Sequence, residues 1–271
     1  MNKLSQMRNE IVLALEISGI VFFIVIIELI AYSSFSETKE SDLEITKAEQ
    51  PFATPIPDCN YLQNICVKVA TEYGTGSGVV VQRTIAGKRR IFVWTAGHVV
   101  ASLRQEDGTF STAKVLLGDQ HSPLSAEVIA YSSRWEEDLA LLELSGEVIL
   151  PASTRFIKPN FLPVGTPVVH CGAPSGFNDS VSLGVISFTD RIIRGKTMDQ
   201  VSVAGFPGSS GGGVFTKDGQ CIGLLTQGVG PGLCLIVPTR RIRKWARSIG
   251  VEWALDTEIK VPLCRAPIVI E

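Results

Sequence analysis

The sequence predicts an all-β domain built from many short strands, with one helix near the C-terminal end. Runs of Val, Ile and Leu recur along residues 59–238, each bounded by Gly, Pro, Ser or charged residues, which is typical of strands. The 25 glycines and 14 prolines are spread along the 271 residues and indicate frequent turns. With 45% hydrophobic residues, 19% charged residues and a net charge of −2, the chain has a globular composition. It lacks the basic excess of a nucleic-acid-binding protein, so no nucleic-acid partner is expected.

The N-terminal part of the chain differs from this pattern and is predicted to form a membrane anchor and a linker. Residues 11–31 are mostly apolar and number about 20, which is enough for one transmembrane helix. Residues 1–10 carry Lys3 and Arg8, so this N-terminus is expected to be cytoplasmic and the rest of the chain periplasmic or extracellular. Residues 32–58, acidic and then rich in proline, are typical of a flexible linker. A cleaved signal peptide, which would leave a secreted protein, is the alternative.

Residues 59–150 are predicted to fold as a closed six-stranded β-barrel. Six short apolar runs follow one another here, and closure of the sheet would remove its exposed edges. The runs cover residues 66–70, 78–82, 91–95, 113–117, 126–131 and 139–144. Residues 96–102 are expected to include one helical turn.

A second group of six strands is predicted in residues 151–238. These strands cover residues 167–171, 181–190, 200–203, 213–216, 220–226 and 233–237. Residues 239–271 follow as a C-terminal helix and tail. Thr239 is expected to cap the helix, and Ile242 and Trp245 begin its apolar face. The arginines of this helix are expected to be solvated, and binding to anionic lipid or a partner is the alternative.

The six cysteines of the chain fit an exported domain. Strands 220–226 and 233–237 are expected to form a hairpin that sets Cys221 nearly opposite Cys234, within disulfide distance. Buried free thiols are the alternative. No pair of cysteines has the spacing of metal ligands, so no metal site is expected.

A glycine-rich segment is the first candidate for a chemical site: residues 206–213, with the sequence FPGSSGGG, here called the serine loop. Glycine loses more backbone freedom on folding than any other residue, so such a run indicates a close approach or an unusual conformation. A loop of this kind can present a serine hydroxyl beside free backbone N–H groups, which combines a nucleophile with an oxyanion hole. A flexible turn is the alternative.

Two further residues can complete such a site, because a nucleophilic serine needs a general base and the base needs an orienting carboxylate. His98 ends an apolar run in the segment VWTAGHVV, and Asp138 begins another in EEDLALLEL. Of the other histidines, His121 is expected to be exposed and His170 to be structural. His98, Asp138 and Ser210 occur in the chain order of the chymotrypsin-type triad.

The segments TAGH at residues 95–98, DLALL at 138–142 and GSSGG at 208–212 resemble the three signature blocks of trypsin-like serine proteases. Together with TGSGVVV at residues 75–81, they resemble the Deg/HtrA branch more than the digestive trypsins. The resemblance covers about residues 60–245 and implies two six-stranded antiparallel β-barrels with a C-terminal helix. The full predicted architecture is this trypsin-like fold preceded by one N-terminal transmembrane helix.

The resemblance also implies a serine endopeptidase that acts on protein or peptide substrates without a cofactor, in protein quality control or processing. Ser210 would be the nucleophile, His98 the general base and Asp138 the carboxylate that orients the base. The N–H groups of Gly208 and Ser210 would form the oxyanion hole. These residues would meet in the cleft between the barrels.

Ala204, Gly205 and Phe206 are expected to contribute to substrate binding. Ala204 stands where trypsin has its specificity aspartate, so cleavage is expected after small or medium apolar residues and not after Lys or Arg. Ser209 replaces the aspartate that receives the new N-terminus when trypsin is activated, so activation of that kind is not expected. Because few residues follow Ser210, the PDZ domain that many Deg/HtrA proteins carry is not expected here.

Two other functions are compatible with parts of this pattern. A catalytically silent protease-fold protein could serve as a binding or scaffold protein, although the intact triad argues against it. An esterase is the weaker alternative. Residues 208–212 satisfy the Gly-x-Ser-x-Gly pattern of the α/β-hydrolases, but the order of the triad and the predicted strands do not fit that fold.

Overall fold

The computed structural model describes residues 58–118, 122–146, 148–158, 161–230, 232–262 and 268–269. The predicted transmembrane segment 11–31, His121 and Cys264 lie outside these residues. Within these ranges, no helix is both long enough and apolar enough to cross a membrane.

The first sheet contains seven strands, six of which close into an antiparallel barrel. The strands are β1 (Cys66–Thr71), β2 (Gly74–Ile85), β3 (Lys88–Thr95), β4 (Ala113–Leu117), β5 (Leu124–Ser132), β6 (Leu139–Leu144) and β14 (Ile268–Val269). Their order is β14-β5-β4-β1-β2-β3-β6, and an additional pairing of β5 with β6 closes the barrel. The closed six-stranded barrel predicted for this part of the chain is confirmed.

The second sheet also contains seven strands. They are β7 (Arg155–Phe156), β8 (Pro167–Gly172), β9 (Ser180–Ile193), β10 (Lys196–Val201), β11 (Gly213–Thr216), β12 (Gln220–Gly230) and β13 (Leu233–Pro238). The order is β11-β8-β9-β10-β13-β12-β7, with an additional pairing between β11 and β12. The short strand β7 runs parallel to β12, whereas the other pairings are antiparallel.

Three helices accompany the sheets in the described part of the chain: α1 (Cys59–Ile65), α2 (Gly97–Val100) and α3 (Thr239–Ser248). Helix α3 is the predicted C-terminal helix, and it buries Ile242 and Trp245 on one face. Thr239 is its first residue and not its cap. The Thr239 hydroxyl instead donates to the carbonyl of Cys221 at 3.0 Å and so attaches the helix to β12.

The chain that follows α3 returns to the first sheet. Trp253 packs edge-on against Phe92 of β3, with 4.9 Å between ring centroids. The indole N–H of Trp94, also in β3, donates to the carbonyl of Ala254 at 3.0 Å. Arg83 of β2 donates to the carbonyls of Asp256 and Ile259. No structure is predicted for this segment from its sequence pattern, and it packs against β2 and β3 of the first barrel.

The predicted disulfide between Cys221 and Cys234 is wrong, since both residues are free thiols. In an antiparallel hairpin, residues at equal distances from the turn face each other. Cys234 lies next to the turn and faces Gly228, whereas Cys221 lies at the far end of β12 and faces Phe215 of β11. Burial raises the pKa of the Cys221 thiol to about 12, so this thiol is protonated and unreactive at neutral pH.

Candidate active site

His98 and Asp138 come together because two paired strands place them at the same end of the first barrel. Strands β3 and β6 are antiparallel, with Thr95 opposite Ala140. His98 follows β3 in helix α2, and Asp138 directly precedes β6. The imidazole Nδ1 lies 3.0 Å from both carboxylate oxygens of Asp138, and the backbone N–H of His98 donates to Oδ1 at 2.9 Å.

Two backbone features allow this approach. Gly97 lies so close to the carbonyl of Ser132 and the backbone of Leu139 that a Cβ at this position would collide with them. Asp138 has φ of 54°, a left-handed conformation that is unfavourable for a residue other than glycine. Its N–H donates to the carbonyl of Ser133 at 3.0 Å, which helps to hold the conformation. Backbone strain of this kind is concentrated at functional sites.

The electrostatics of the pair keep Asp138 ionised. Burial by itself raises the pKa of this carboxyl, but the hydrogen bonds and charge of His98, with a smaller contribution from Thr226, bring the net pKa below its ordinary value. An ionised Asp138 accepts the Nδ1–H of His98, and this hydrogen bond leaves Nε2 free to accept a proton.

The serine loop connects β10 to β11 and lies directly on the first sheet. Gly211 has φ of 87°, and its α-carbon faces the carbonyl of Ser77, the hydroxyl of Thr95 and the backbone N of Ala96. No side chain larger than hydrogen fits there. The contact brings Ser210 beside the segment that leads into His98. The Ser210 hydroxyl donates to the carbonyl of Thr226 at 3.4 Å, a long hydrogen bond.

Every carbonyl in the central part of the serine loop accepts a hydrogen bond. Pro207 accepts from Ser175 N at 2.6 Å, Gly208 from Ser77 Oγ at 2.7 Å, Ser209 from Gly212 N at 3.0 Å, and Ser210 from Ser77 N at 2.7 Å. A trans peptide directs its N–H opposite to its C=O. The N–H groups of Gly208 and Ser210 therefore point away from these donors, and neither donates to an acceptor within the described ranges. Two such free N–H groups beside a serine hydroxyl can bind an oxyanion.

Ala204, Gly205 and Phe206, the three residues expected to bind substrate, precede Ser210 in the segment between β10 and β11. Ala204 is exposed, and Phe206 is 60% exposed. Gly205 packs on the buried thiol of Cys234, which donates to the carbonyl of Val203 at 3.3 Å. Sequence reasoning considered Cys234 only as a disulfide partner and missed this contact, because the pairing of β10 with β13, with Val201 opposite Cys234, brings the thiol beneath the segment.

His170 lies behind the serine loop and is completely enclosed. Its Nδ1 is 3.1 Å from the carbonyl of Gly213, and its ring packs against Gly212 and Gly172. Burial lowers the pKa of His170 to about 4, so the ring is neutral at neutral pH. It is not in contact with His98 or Asp138 in the described structure.

Arg241 is a second residue that sequence reasoning missed: the arginines of helix α3 were expected to be solvated, which is wrong for Arg241, whose side chain is only 11% exposed. From helix α3 its guanidinium reaches the loop before Asp138, where Nε donates to the Glu137 carboxylate at 2.6 Å. Its Nη2 donates to the carbonyls of Glu136 and Glu137, each at 3.1 Å. Lys196, near the tip of the β9–β10 hairpin, lies 3.4 Å and 3.7 Å from the two glutamate carboxylates. The only sequence signal was an arginine pair at the start of the helix.

Two mainly antiparallel sheets, with a histidine–aspartate pair on one and a serine in a glycine-rich loop on the other, are typical of the trypsin-like class of proteins. Comparison with known families agrees with this assignment. Residues 76–224, more than half of the chain, match the family described as the trypsin-like peptidase domain. The chain belongs to this family.

Individual relatives extend the comparison. A probable periplasmic serine endoprotease, DegP-like, from Pseudomonas savastanoi pv. phaseolicola is 31% identical over 157 residues, which is 57% of this chain and 32% of that protein. The serine protease Do-like HtrA of Lactococcus lactis is 31% identical over 160 residues, covering 55% of this chain and 36% of that protein. The chain thus spans about a third of the length of these relatives.

A solved structure supports the fold. The serine endoprotease from Yersinia pestis superimposes with a TM-score of 0.56 at 20% sequence identity, covering 71% of this chain and 64% of that one. At this identity the similarity concerns the fold alone.

Proposed function

We propose that this protein is a serine endopeptidase of the Deg/HtrA type, with both sheets acting as the barrels of a trypsin-like fold. The observation that supports the proposal is the packing of the serine loop on the segment that leads into His98, where Gly211 meets Thr95 and Ala96, together with the two free N–H groups of Gly208 and Ser210. Two relatives that are 31% identical to this chain over the 157 and 160 aligned residues are named as a probable periplasmic serine endoprotease and a serine protease.

The geometry supports a two-step acyl transfer. Ser210 Oγ attacks the peptide carbonyl carbon while its proton passes to Nε2 of His98. Asp138 holds the imidazole through Nδ1 and stabilises the imidazolium that forms. The carbonyl oxygen, now negatively charged, accepts from the N–H groups of Gly208 and Ser210. His98 then protonates the leaving amine, and water repeats the sequence to release the acyl group.

In the resting structure the Ser210 hydroxyl donates to Thr226, so the proposed reaction requires it to turn towards His98 when substrate binds. Catalytic hydrogen bonds in substrate-free enzymes are often long and tighten only in the complex. Rotation of the Ser210 hydroxyl from Thr226 towards His98 is therefore consistent with the proposed function.

The test is labelling of the 271-residue chain with a fluorophosphonate probe, together with hydrolysis of an unfolded protein. Ser210→Ala and His98→Ala are the matched variants. We expect labelling and hydrolysis of the wild type and loss of both in each variant. A folded wild type that neither reacts with the probe nor cleaves protein would instead favour the binding or scaffold function.

We further propose that cleavage follows small or medium apolar residues. Gly205 lies against Cys234, and an added Cβ on Gly228 would lie 3.3 Å from the Gly205 carbonyl, so little space separates these segments. Cys234 is buried beneath them, and we propose that it limits the size of the substrate side chain that this segment accepts. A peptide-library profile should show alanine or valine before the cleaved bond, and Cys234→Gly should extend it to leucine and phenylalanine. Preferred cleavage after arginine would contradict this proposal.

The names of the periplasmic relatives also support an extracytoplasmic location for this domain. We propose that residues 11–31 anchor it in the membrane. Fractionation of cells that express the whole chain, with and without these residues, tests the anchor: release of the shortened chain into the soluble fraction is expected.

A further inference from the structure

Ser77 of strand β2 connects the serine loop to the first sheet. The residue is fully buried, and its polar atoms bind both parts of the site. Its hydroxyl donates to the Gly208 carbonyl at 2.7 Å and accepts from Ala173 N at 2.7 Å. Its backbone N–H donates to the Ser210 carbonyl at 2.7 Å, and its own carbonyl accepts from the Thr95 hydroxyl at 2.6 Å.

These contacts restrain the peptides on either side of the proposed oxyanion donors. Glycines 208, 211, 212 and 213 leave the serine loop with much backbone freedom. Ser77 binds the carbonyls of Gly208 and Ser210, so the peptides that follow these residues cannot rotate independently of the first sheet. Without this restraint, a loop carbonyl could rotate into the position reserved for the oxyanion. The same contacts set the distance between Ser210 and the strand that leads, through Thr95, to His98.

The Ser77 hydroxyl is also closely surrounded by the backbone of the second sheet region. A Cβ on Gly172 would lie 2.7 Å from Ser77 Oγ, and one on Gly208 would collide with the Ala173 carbonyl. Both glycines therefore allow the second sheet to approach the hydroxyl closely. The arrangement is specific to a small side chain that both donates and accepts a hydrogen bond.

We propose that Ser77 is a positioning residue that holds the serine loop in its oxyanion-binding conformation against the sheet that carries His98 and Asp138. This inference rests on the proposed function, since it concerns how the same site is assembled. Ser77 does not reach the reacting atoms and acts through the loop.

The variant Ser77→Ala removes both hydroxyl hydrogen bonds but keeps the bond from the backbone N–H. For a substrate chosen from the cleavage profile, we expect kcat to fall roughly 10- to 100-fold with KM changed less than about threefold, because the loss concerns transition-state stabilisation. Affinity for a peptide boronate, which mimics the tetrahedral intermediate, should fall by the same factor. The pH profile of kcat/KM should keep its shape, since the His98–Asp138 pair is unchanged.

Thr239→Ala is the matched control, because it removes a buried hydroxyl that donates to a backbone carbonyl outside the serine loop. It should lower the melting temperature without changing kcat per active site. If Ser77→Ala does not fold, Ser77→Cys, with its weaker hydrogen-bonding thiol, takes its place and a smaller loss of kcat is expected.

The kcat value of each variant is calculated from the concentration of folded protein. A folded Ser77 variant that matches wild type in kcat and boronate affinity would overturn the positioning role and leave the proposed function intact. A wild-type chain that neither labels nor hydrolyses would overturn both.

Discussion

The close approach of His98 to Asp138 requires glycine at position 97. A Cβ at this position would collide with the carbonyl of Ser132 and press on the backbone at Leu139, next to Asp138. Gly97→Ala should therefore push α2 away from β6 and lengthen the contact between His98 and Asp138. Because a displacement of about 1 Å can cost about 100-fold in rate, we expect kcat/KM to fall by about that factor.

The control for this variant is Gly74→Ala, since a Cβ at Gly74 meets nothing within 4 Å. Both variants exchange glycine for alanine in the first sheet region, but only one displaces the backbone at the site. Equal kcat/KM values for the two variants would show that the close approach at Gly97 has no catalytic consequence.

His170 makes the stability of the protein dependent on pH. Its folded-state pKa is about 4, whereas an imidazole in the unfolded chain titrates near 6.5. Between these values the unfolded state binds more protons, so the free energy of unfolding falls as the pH falls from about 6.5 to 4 and is restored above this window. The contribution of this residue should be about 3 kcal/mol.

His170→Gln removes the titrating group and tests this prediction. Urea unfolding at pH 7 and pH 4 should show a smaller loss of stability in the variant than in the wild type, by about the same 3 kcal/mol. Other groups titrate in both proteins and cancel in the comparison. Parallel stability curves would mean that His170 is protonated equally in the folded and unfolded states.

Single residues also show which parts of the site could be predicted from the sequence and which could not. His98, Asp138 and Ser210 were candidates because their neighbours form recognisable patterns. Ser77 lies within a segment that carries part of the same resemblance, but its contacts with the serine loop cross between the sheets. Such contacts depend on tertiary packing, and no local pattern reports them.

At the scale of elements, helix α3 supports the loop that carries Asp138. Arg241 donates to two successive carbonyls and to one carboxylate there, and its side chain is only 11% exposed. Arg241→Met should keep the apolar stem but release the loop before the strained Asp138. We expect kcat/KM to fall on the order of tenfold through imperfect orientation of His98.

Arg247→Met serves as the comparison, because Arg247 is 69% exposed and pairs with Glu252 on the surface. Its loss should leave both the free energy of unfolding and kcat/KM nearly unchanged, because exposed ion pairs contribute little to stability. If the Arg241 variant loses no more activity than the Arg247 variant, the guanidinium does not position the Asp138 loop.

The elements were more predictable than their ends. Alternating and continuous apolar runs located the twelve strands proposed from the sequence, because side-chain burial imposes those patterns. Strands β9 and β12 extend to Ile193 and Gly230, beyond the predicted ends at residues 190 and 226. The extension of β12, residues 227–230 with the sequence QGVG, pairs with β13 through the backbone and carries little hydrophobic signal. The wrong disulfide between Cys221 and Cys234 was predicted from the same hairpin, in which the end of β12 was also placed wrongly.

At the scale of the molecule, the residues after α3 join the two sheets. Helix α3 follows β13 of the second sheet, and the next segment packs on β2 and β3 of the first. The segment has no periodic apolar pattern, so its position could not be predicted. Trp253 and Ala254 of this segment are buried where they contact Phe92 and Trp94 of β3.

Trp253 provides the last test, because it is the largest side chain that this segment buries. It is 2% exposed and packs edge-on against Phe92, which is itself fully buried. Trp253→Ala should leave a cavity between the segment and β3 and lower the free energy of unfolding by about 3–5 kcal/mol.

The control is Trp135→Ala, at a site that is 71% exposed, which should change the free energy of unfolding by less than about 1 kcal/mol. Urea unfolding followed by circular dichroism measures both. A change below about 1 kcal/mol for Trp253→Ala would mean that the segment does not stabilise the first sheet, and that the serine loop and Ser77 join the two sheets without a contribution from this segment.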